Sequence, residues 1–241
     1  MNNEYKEFLK VYKEAFGQAV PLPIALGYGD MPANPESKVP RCMIGAISKV
    51  RDGEPLTLSA DNVKCGGGLY TGFHKMPERV PQFVSQSEHY KQTPEMVEEY
   101  IGKLDITRSK KPYLNFVRMD KLSSMDDIEG VLFWATLDIL SGLTAWAFFD
   151  NNAFDAVAVP FGSGCTSIVS LAVTENRKNG RRCFIGMLDP SARPLVPENE
   201  LTFVVPKCRF TEMTDTIKDS ALFQRAFSIV RKRINGEIQT D

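Results

Sequence analysis

The segment FDAVAVPFGSGCTSIVSLAVT, from Phe154 to Thr174, constrains the fold of this chain more than any other stretch. Val157, Val159 and Phe161 with their small neighbours form a short apolar run of strand type. Gly162-Ser163-Gly164 halts it, and Cys165 opens an apolar segment of helical length. The start of a helix presents unpaired N–H groups and the positive end of the macrodipole, so a thiolate or a bound anion is favoured at Cys165.

The surrounding sequence extends this unit. Tyr113 to Met119 alternates like a strand, Val131 to Ala135 is a continuous apolar strand, and Leu137 to Phe149 is apolar on nearly every side. After Phe154–Thr174 come the strands Cys183–Leu188 and Leu201–Val205. The order β-α-β-α-β with short crossovers predicts parallel strands joined right-handedly and covered on both faces. The expected fold class is α/β, with a mostly parallel sheet in the C-terminal half, 111–241. A length of 241 residues suits one large domain, so the N-terminal region, 1–110, is expected to pack on that sheet.

Within 1–110, Tyr5, Phe8, Leu9, Tyr12 and Phe16 fall at helical spacing, with Asn2 or Asn3 as a cap and Gly17 as the stop. Val20 to Tyr28 carries two prolines and predicts a short edge strand. Residues 41–58 resemble a β-hairpin turning at Arg51-Asp52-Gly53-Glu54, a surface through which two copies can pair. Thr93-Pro94 starts a helix whose Met96, Val97, Tyr100, Ile101 and Leu104 predict a packing face. A polar segment follows Val205 and leads to a C-terminal helix with a stripe from Phe223 to Ile234, its Arg231-Lys232-Arg233 complementing the helix end.

A net charge of -1 and a pI near 6.2 remove any global electrostatic case for nucleic acid or a membrane surface. The N-terminus has no signal-peptide apolar region, and no apolar run approaches the roughly 20 residues that span a bilayer. The five cysteines are odd in number, widely spaced and without a C-x-x-C pair, which predicts free thiols in a reducing, cytoplasmic compartment.

In a parallel sheet the loops after the strands share one edge, where ligands bind. Thr136–Asp138, Gly162–Thr166 and Asp189–Arg193 are those loops, bringing together the Cys165 thiol, the Ser163 and Thr166 hydroxyls, the Asp189 carboxylate and the Arg193 guanidinium. Asp189 followed by Pro190 also has the form of a simple helix cap. A second thiol lies in Lys64-Cys65-Gly66-Gly67-Gly68-Leu69, where glycines permit close approach or positive φ, or else mark a flexible loop tip. If Cys65 and Cys165 serve one site, the N-terminal half must cover the strand-end crevice. The only histidines, His74 and His89, are expected to be structural.

Cys42, then Cys65 with its glycines, AVAVPFGSGCTSI around Cys165, IGMLDPSAR and ELTFVVP together resemble domain of unknown function family 169, an archaeal and bacterial group. The resemblance implies a prokaryotic cytoplasmic protein with cysteines recurring at positions like Cys42, Cys65 and Cys165, and implies no activity. Two functional expectations follow from the residues. In one, Cys42, Cys65 and Cys165 hold a thiophilic metal or an iron–sulfur cluster. In the other, an enzyme binds a small anion on Arg193 and the amides of Gly162 to Cys165, with Cys65, Gly66 and Gly67 nearby and Cys165 as nucleophile or thiolate base. Against both stands simple packing of buried cysteines.

Overall fold

The computed structural model describes residues 4–106, 108–124 and 127–238. Helix α1, Glu4–Phe16, buries Tyr5, Phe8, Tyr12 and Phe16 along one face and ends at Gly17, whose φ of 112° suits a residue without Cβ. The expected Asn2 or Asn3 cap lies outside the described residues. Strand β1, Ile24–Gly29, is buried along its whole length. It lies between two other strands and is not the edge strand its prolines suggested. Pro21 and Pro23 sit just before the ladder, so they cost it no donor.

The remaining strands are β2, Leu56–Leu58; β3, Tyr113–Arg118; β4, Gly130–Thr136; β5, Val157–Ala158; β6, Cys183–Gly186; and β7, Glu200–Pro206. They form one seven-stranded sheet in the order β2-β3-β1-β4-β7-β6-β5. The mostly parallel sheet expected from the sequence is incorrect. Among the described residues only β5 and β6 pair in parallel, and β1–β3, β1–β4, β2–β3, β4–β7 and β6–β7 are antiparallel. The reason is topological. Crossover helices make β4, β5 and β6 run in one direction, as expected, but direction does not fix neighbours. β7 returns after β6 and inserts antiparallel between β4 and β6, pairing Phe133 with Phe203 on one side and Phe203 with Ile185 on the other.

The hairpin over 41–58 is also corrected. Residues 43–49 form helix α2, Met43–Lys49, burying Met43, Ile44 and Ile47 at the i, i+1, i+4 spacing of a helix face, and β2 pairs with β3 instead. The surface proposed for pairing two copies is therefore not a hairpin. Helix α8, Lys207–Thr216, occupies what the sequence presents as a polar segment, and it buries Arg209, Phe210 and Met213.

Alternation along the sheet assigns its two faces. Val131, Phe133 and Ala135 of β4 point into a core formed with α1, with α6 (Leu137–Phe148), with α8 and with α9 (Arg225–Ile234). Leu132 and Trp134 point the other way, into a core with α2 and with α7, Leu171–Arg177. On the first face Phe8 lies edge-on to Phe210 and near Trp146, whose Nε1 donates to the Met213 carbonyl at 2.9 Å. That face is filled with aromatic side chains and is closed. The second face is where the chain leaves an opening. No helix among the described residues is long and apolar enough to cross a membrane.

Candidate functional site

β5 ends after two residues because the chain leaves the sheet at Val159, which is exposed, as is Phe161. The chain then turns through Gly162 and Ser163, and helical backbone begins at Gly164. It widens into a π-helical turn, Thr166–Ser170, before α7. β6 ends one residue before Met187, which is buried at φ 65°. A left-handed conformation at a bulky residue costs about 1–3 kcal/mol, and here it redirects the chain so that Leu188 and Asp189 follow beside the Gly162 turn.

From the N-terminal half, α2 and three further helical segments close over these two strand ends. They are α3, Gly67–Tyr70; α4, Val80–Gln82, continued by a second π-helical turn, Phe83–Ser87; and α5, Pro94–Lys103. π-helical turns are rare and concentrate at functional sites, and both of these adjoin the same cavity. Thr93 caps α5 as expected, accepting from the Met96 amide at 3.3 Å. The cavity has a volume of about 290 Å³, and Cys42, Cys65, Cys165, Gly66, Gly67, Gly162, Ser163, Gly164 and Asp189 all line it. Two loops remote in sequence therefore meet in one pocket, between the N-terminal helices and the strand ends.

The three sulfurs differ in state. Interaction with the Cys42 thiol, and then with the backbone N–H groups of Met43 and Gly67, favours the Cys65 thiolate and lowers its pKa to about 5 against the opposing effect of burial. Cys42 moves the other way, its pKa pushed up first by the same interaction with Cys65 and then by burial. Cys165 is buried. Desolvation, followed by the negative charges of Cys65 and Asp189, raises its pKa. The lowering expected from a helix N-terminus is not found, because loss of hydration outweighs the amide dipoles once the sulfur is enclosed.

The glycines after Cys65 have distinct reasons. A Cβ at Gly67 would overlap Met43 Sδ and lie 3.2 Å from Cys165 Sγ, and one at Gly68 would collide with the His74 ring, whereas Gly66 has open space around it. Gly67 is thus the point at which the two loops touch. Gly66→Ala should leave thermal stability within about 0.5 kcal/mol of wild type, and Gly67→Ala should lower it by about 1–3 kcal/mol by overpacking. Denaturant melts of the two variants check this, and equal stabilities would show that the contact between the loops is soft.

The rest of the lining is mostly apolar, with Leu69, Val80, Val84, Val97, Ile101 and Phe161 among it. Val97, Tyr100 and Ile101, assigned to packing by their helical spacing, face the cavity. Glu88, Tyr90 and Lys91 carry no local signal of a site and reach it only because the helical segments fold over the strand ends. Asp189 accepts from the Ser191 amide at 2.9 Å and from the Ser191 hydroxyl at 2.7 Å. Glu88 titrates high through burial and then through Asp189. Lys91 Nζ lies 4.9 Å from the centre of the Tyr100 ring.

Two expected ligand residues lie elsewhere. Arg193 donates to the carbonyls of Glu200, Pro197 and Glu198 at 2.5, 3.1 and 2.6 Å, which pins the loop before β7 and turns the guanidinium away from the cavity. Thr166 is buried behind the wall, its hydroxyl 3.0 Å from that of Ser163. The loop Thr136–Asp138 serves the other face, where Asp138 binds Arg233. His74 contacts the Val63 carbonyl at 3.2 Å. Among the described residues, no group of three or more His, Cys, Asp or Glu side chains is arranged to hold a metal ion.

Fold and site together define an α/β protein with a mixed sheet and a thiol-lined apolar pocket at the ends of the parallel pair β5 and β6. Residues 25–216 match the family described as Uncharacterised ArCR, domain of unknown function family 169. The match spans most of the chain, and the protein belongs to that family. No curated protein and no solved structure gives a significant match.

Proposed function

We propose that the protein is a cysteine-dependent enzyme in which Cys65 is the thiolate nucleophile, Cys42 is the thiol that holds and delivers its proton, and the substrate is a small uncharged molecule with an apolar part. The observation that carries this is that Cys65 and Cys42, both half-buried, line one cavity large enough for a small molecule, where the Cys42 thiol lowers the Cys65 pKa. A histidine base is unnecessary, because the nucleophile is already ionised at neutral pH and the second cysteine supplies the proton.

The anionic substrate expected from the sequence is disfavoured. Cys65, Asp189 and Glu88 make the pocket acidic, Lys91 is its one lining cation among the described residues, and Arg193 is turned away. Tyr70, raised to about 12 by burial, and Tyr100, also raised by burial, keep their protons at neutral pH. Their hydroxyls are available as donors to a substrate oxygen. A cytoplasmic location agrees with this reading, since a reducing compartment keeps both thiols unpaired.

A second reading retains the thiophilic metal. It is favoured by the convergence of Cys42, Cys65 and Cys165 on one cavity that also contains Asp189. Against it counts that the described residues hold no three-ligand group. Metal analysis of protein purified without oxygen decides between the two. The enzyme reading expects zinc and iron well below one per chain together with full reactivity of Cys65. One metal ion per chain, lost in Cys65→Ser, would overturn it.

A further inference from the structure

Cys42 stands immediately before α2, at the end of an irregular segment, and like Cys65 it is half-buried in the wall of the cavity. The two residues thus face the same apolar space of about 290 Å³, and each is the group that shifts the other's pKa most. Val80, Val84, Val97, Ile101 and Phe161 favour an alkyl or aryl group. Glu88 and Asp189 repel a charged oxidant such as a carboxylate-bearing disulfide. Hydroperoxides are small and uncharged, and they react with thiolates rather than thiols.

We infer that Cys42 and Cys65 form a reversible disulfide in turnover, and that the pocket reduces hydroperoxides carrying an apolar substituent to the corresponding alcohols. The inference rests on Cys65 being the nucleophilic thiolate. The Cys65 thiolate attacks the terminal hydroperoxide oxygen, forming an S–O bond and breaking the O–O bond. Its sulfur is oxidised by two electrons to the sulfenic acid, and the alkoxide leaves. The Cys42 thiol gives its proton to that alkoxide, which departs as the alcohol. The new Cys42 thiolate then attacks the Cys65 sulfur, forming the S–S bond and expelling hydroxide. A dithiol reductant returns the pair to thiols by exchange, leaving as its own cyclic disulfide. Cys165 lies against Gly67 on the buried side of Cys65 and takes no part.

The test uses the full chain, reduced and freed of reductant under argon, then mixed with one equivalent of cumene hydroperoxide. Intact mass and non-reducing peptide mapping should give a loss of about 2 Da and a Cys42–Cys65 cross-link. In Cys42→Ser, Cys65 should gain about 16 Da and be trapped by dimedone, since no resolving thiol remains. Consumption of cumene hydroperoxide should exceed that of hydrogen peroxide by about tenfold or more, reflecting burial of the aryl group. A Cys65–Cys165 link, over-oxidation of Cys65 in the wild type without a link, or equal rates for the two peroxides would each overturn the inference. If Cys65 still alkylates as a thiolate at low pH in that event, only the redox step has failed. If it does not, the thiolate reading has failed with it.

Discussion

At pH 5.5, Cys65 should be alkylated by iodoacetamide about 20–60 times faster in the folded protein than in the denatured chain. At pH 7 the advantage should shrink to no more than about threefold. With a pKa lowered to about 5, Cys65 is mostly ionised at pH 5.5. A thiol near 9 is ionised there at roughly the 0.03% level, about 2,000-fold less. The more acidic thiolate is intrinsically the weaker nucleophile, by roughly 40–100-fold over four units, which sets the net gain and explains why neutral pH hides it. Reactivity should therefore rise through pH 5 and stay level above pH 6. Cys165 and Cys183, both buried with raised pKa, should label slowly at all of these values. Cys42→Ala removes the largest stabilising contact and should move the Cys65 midpoint up by at least about one unit, whereas Cys42→Ser keeps a donor and should move it less. Peptide-resolved labelling rates measure both effects, and a wild-type midpoint near 8–9 would remove the basis for a nucleophilic Cys65.

The second large effect concerns stability, on the face opposite the pocket. Arg209→Ala should destabilise the fold by about 3 kcal/mol, a fall of roughly 6–12 °C in Tm for a chain of this size. The Arg209 side chain is wholly inaccessible. Its guanidinium donates to Asp150, to Glu212 at 2.9 Å and to the Ala147 carbonyl at 3.1 Å, which ties the C-terminal end of α6 to α8. Truncation removes the packing of the stem, leaves the Ala147 carbonyl without its side-chain donor and leaves the Asp150 carboxylate with Arg181 alone. Arg209→Met should recover part of the loss by restoring the stem. Calorimetry that places Arg209→Ala within about 1 kcal/mol of wild type would mean the ion pair is incidental. Neither variant should alter the pH profile of Cys65 labelling, because the two features lie in different layers of the sheet.

The legibility of the sequence was uneven, for reasons that differ by element. α6 and β4 were visible because a long run of apolar residues has a composition no loop shares, although α6 leaves Leu137, Ser141, Ala145 and Phe148 on an exposed face. α2 was read as a strand because Cys42 to Val50 is short, and its apolar residues satisfy either period within so few positions. α8 escaped notice because its burial depends on Arg209, a charged residue that reaches the interior only with its partners in place. In the site, the glycine motif around Cys65 and the Gly162–Cys165 turn were both apparent as places of close approach. The division of labour between the sulfurs was not. The helix-start argument favoured Cys165, whereas enclosure by α2, α3 and the β6 loop raises its pKa and leaves Cys65 at the rim as the anion.

What the sequence determined by itself is local. Hydrophobic period and glycine placement set most of the elements, the common direction of β4, β5 and β6, and the two thiol-bearing loops, because each depends on residues within a few positions of one another. Tertiary structure alone decided the rest. It placed β7 between β4 and β6, turned Arg193 onto backbone carbonyls, and folded the N-terminal helical segments over the strand ends. Strand adjacency and proton position are properties of groups far apart in the chain. Which strand fills a gap is settled by how both faces of the sheet bury their side chains, and which thiol ionises is settled by where water and N–H donors remain once the core has closed.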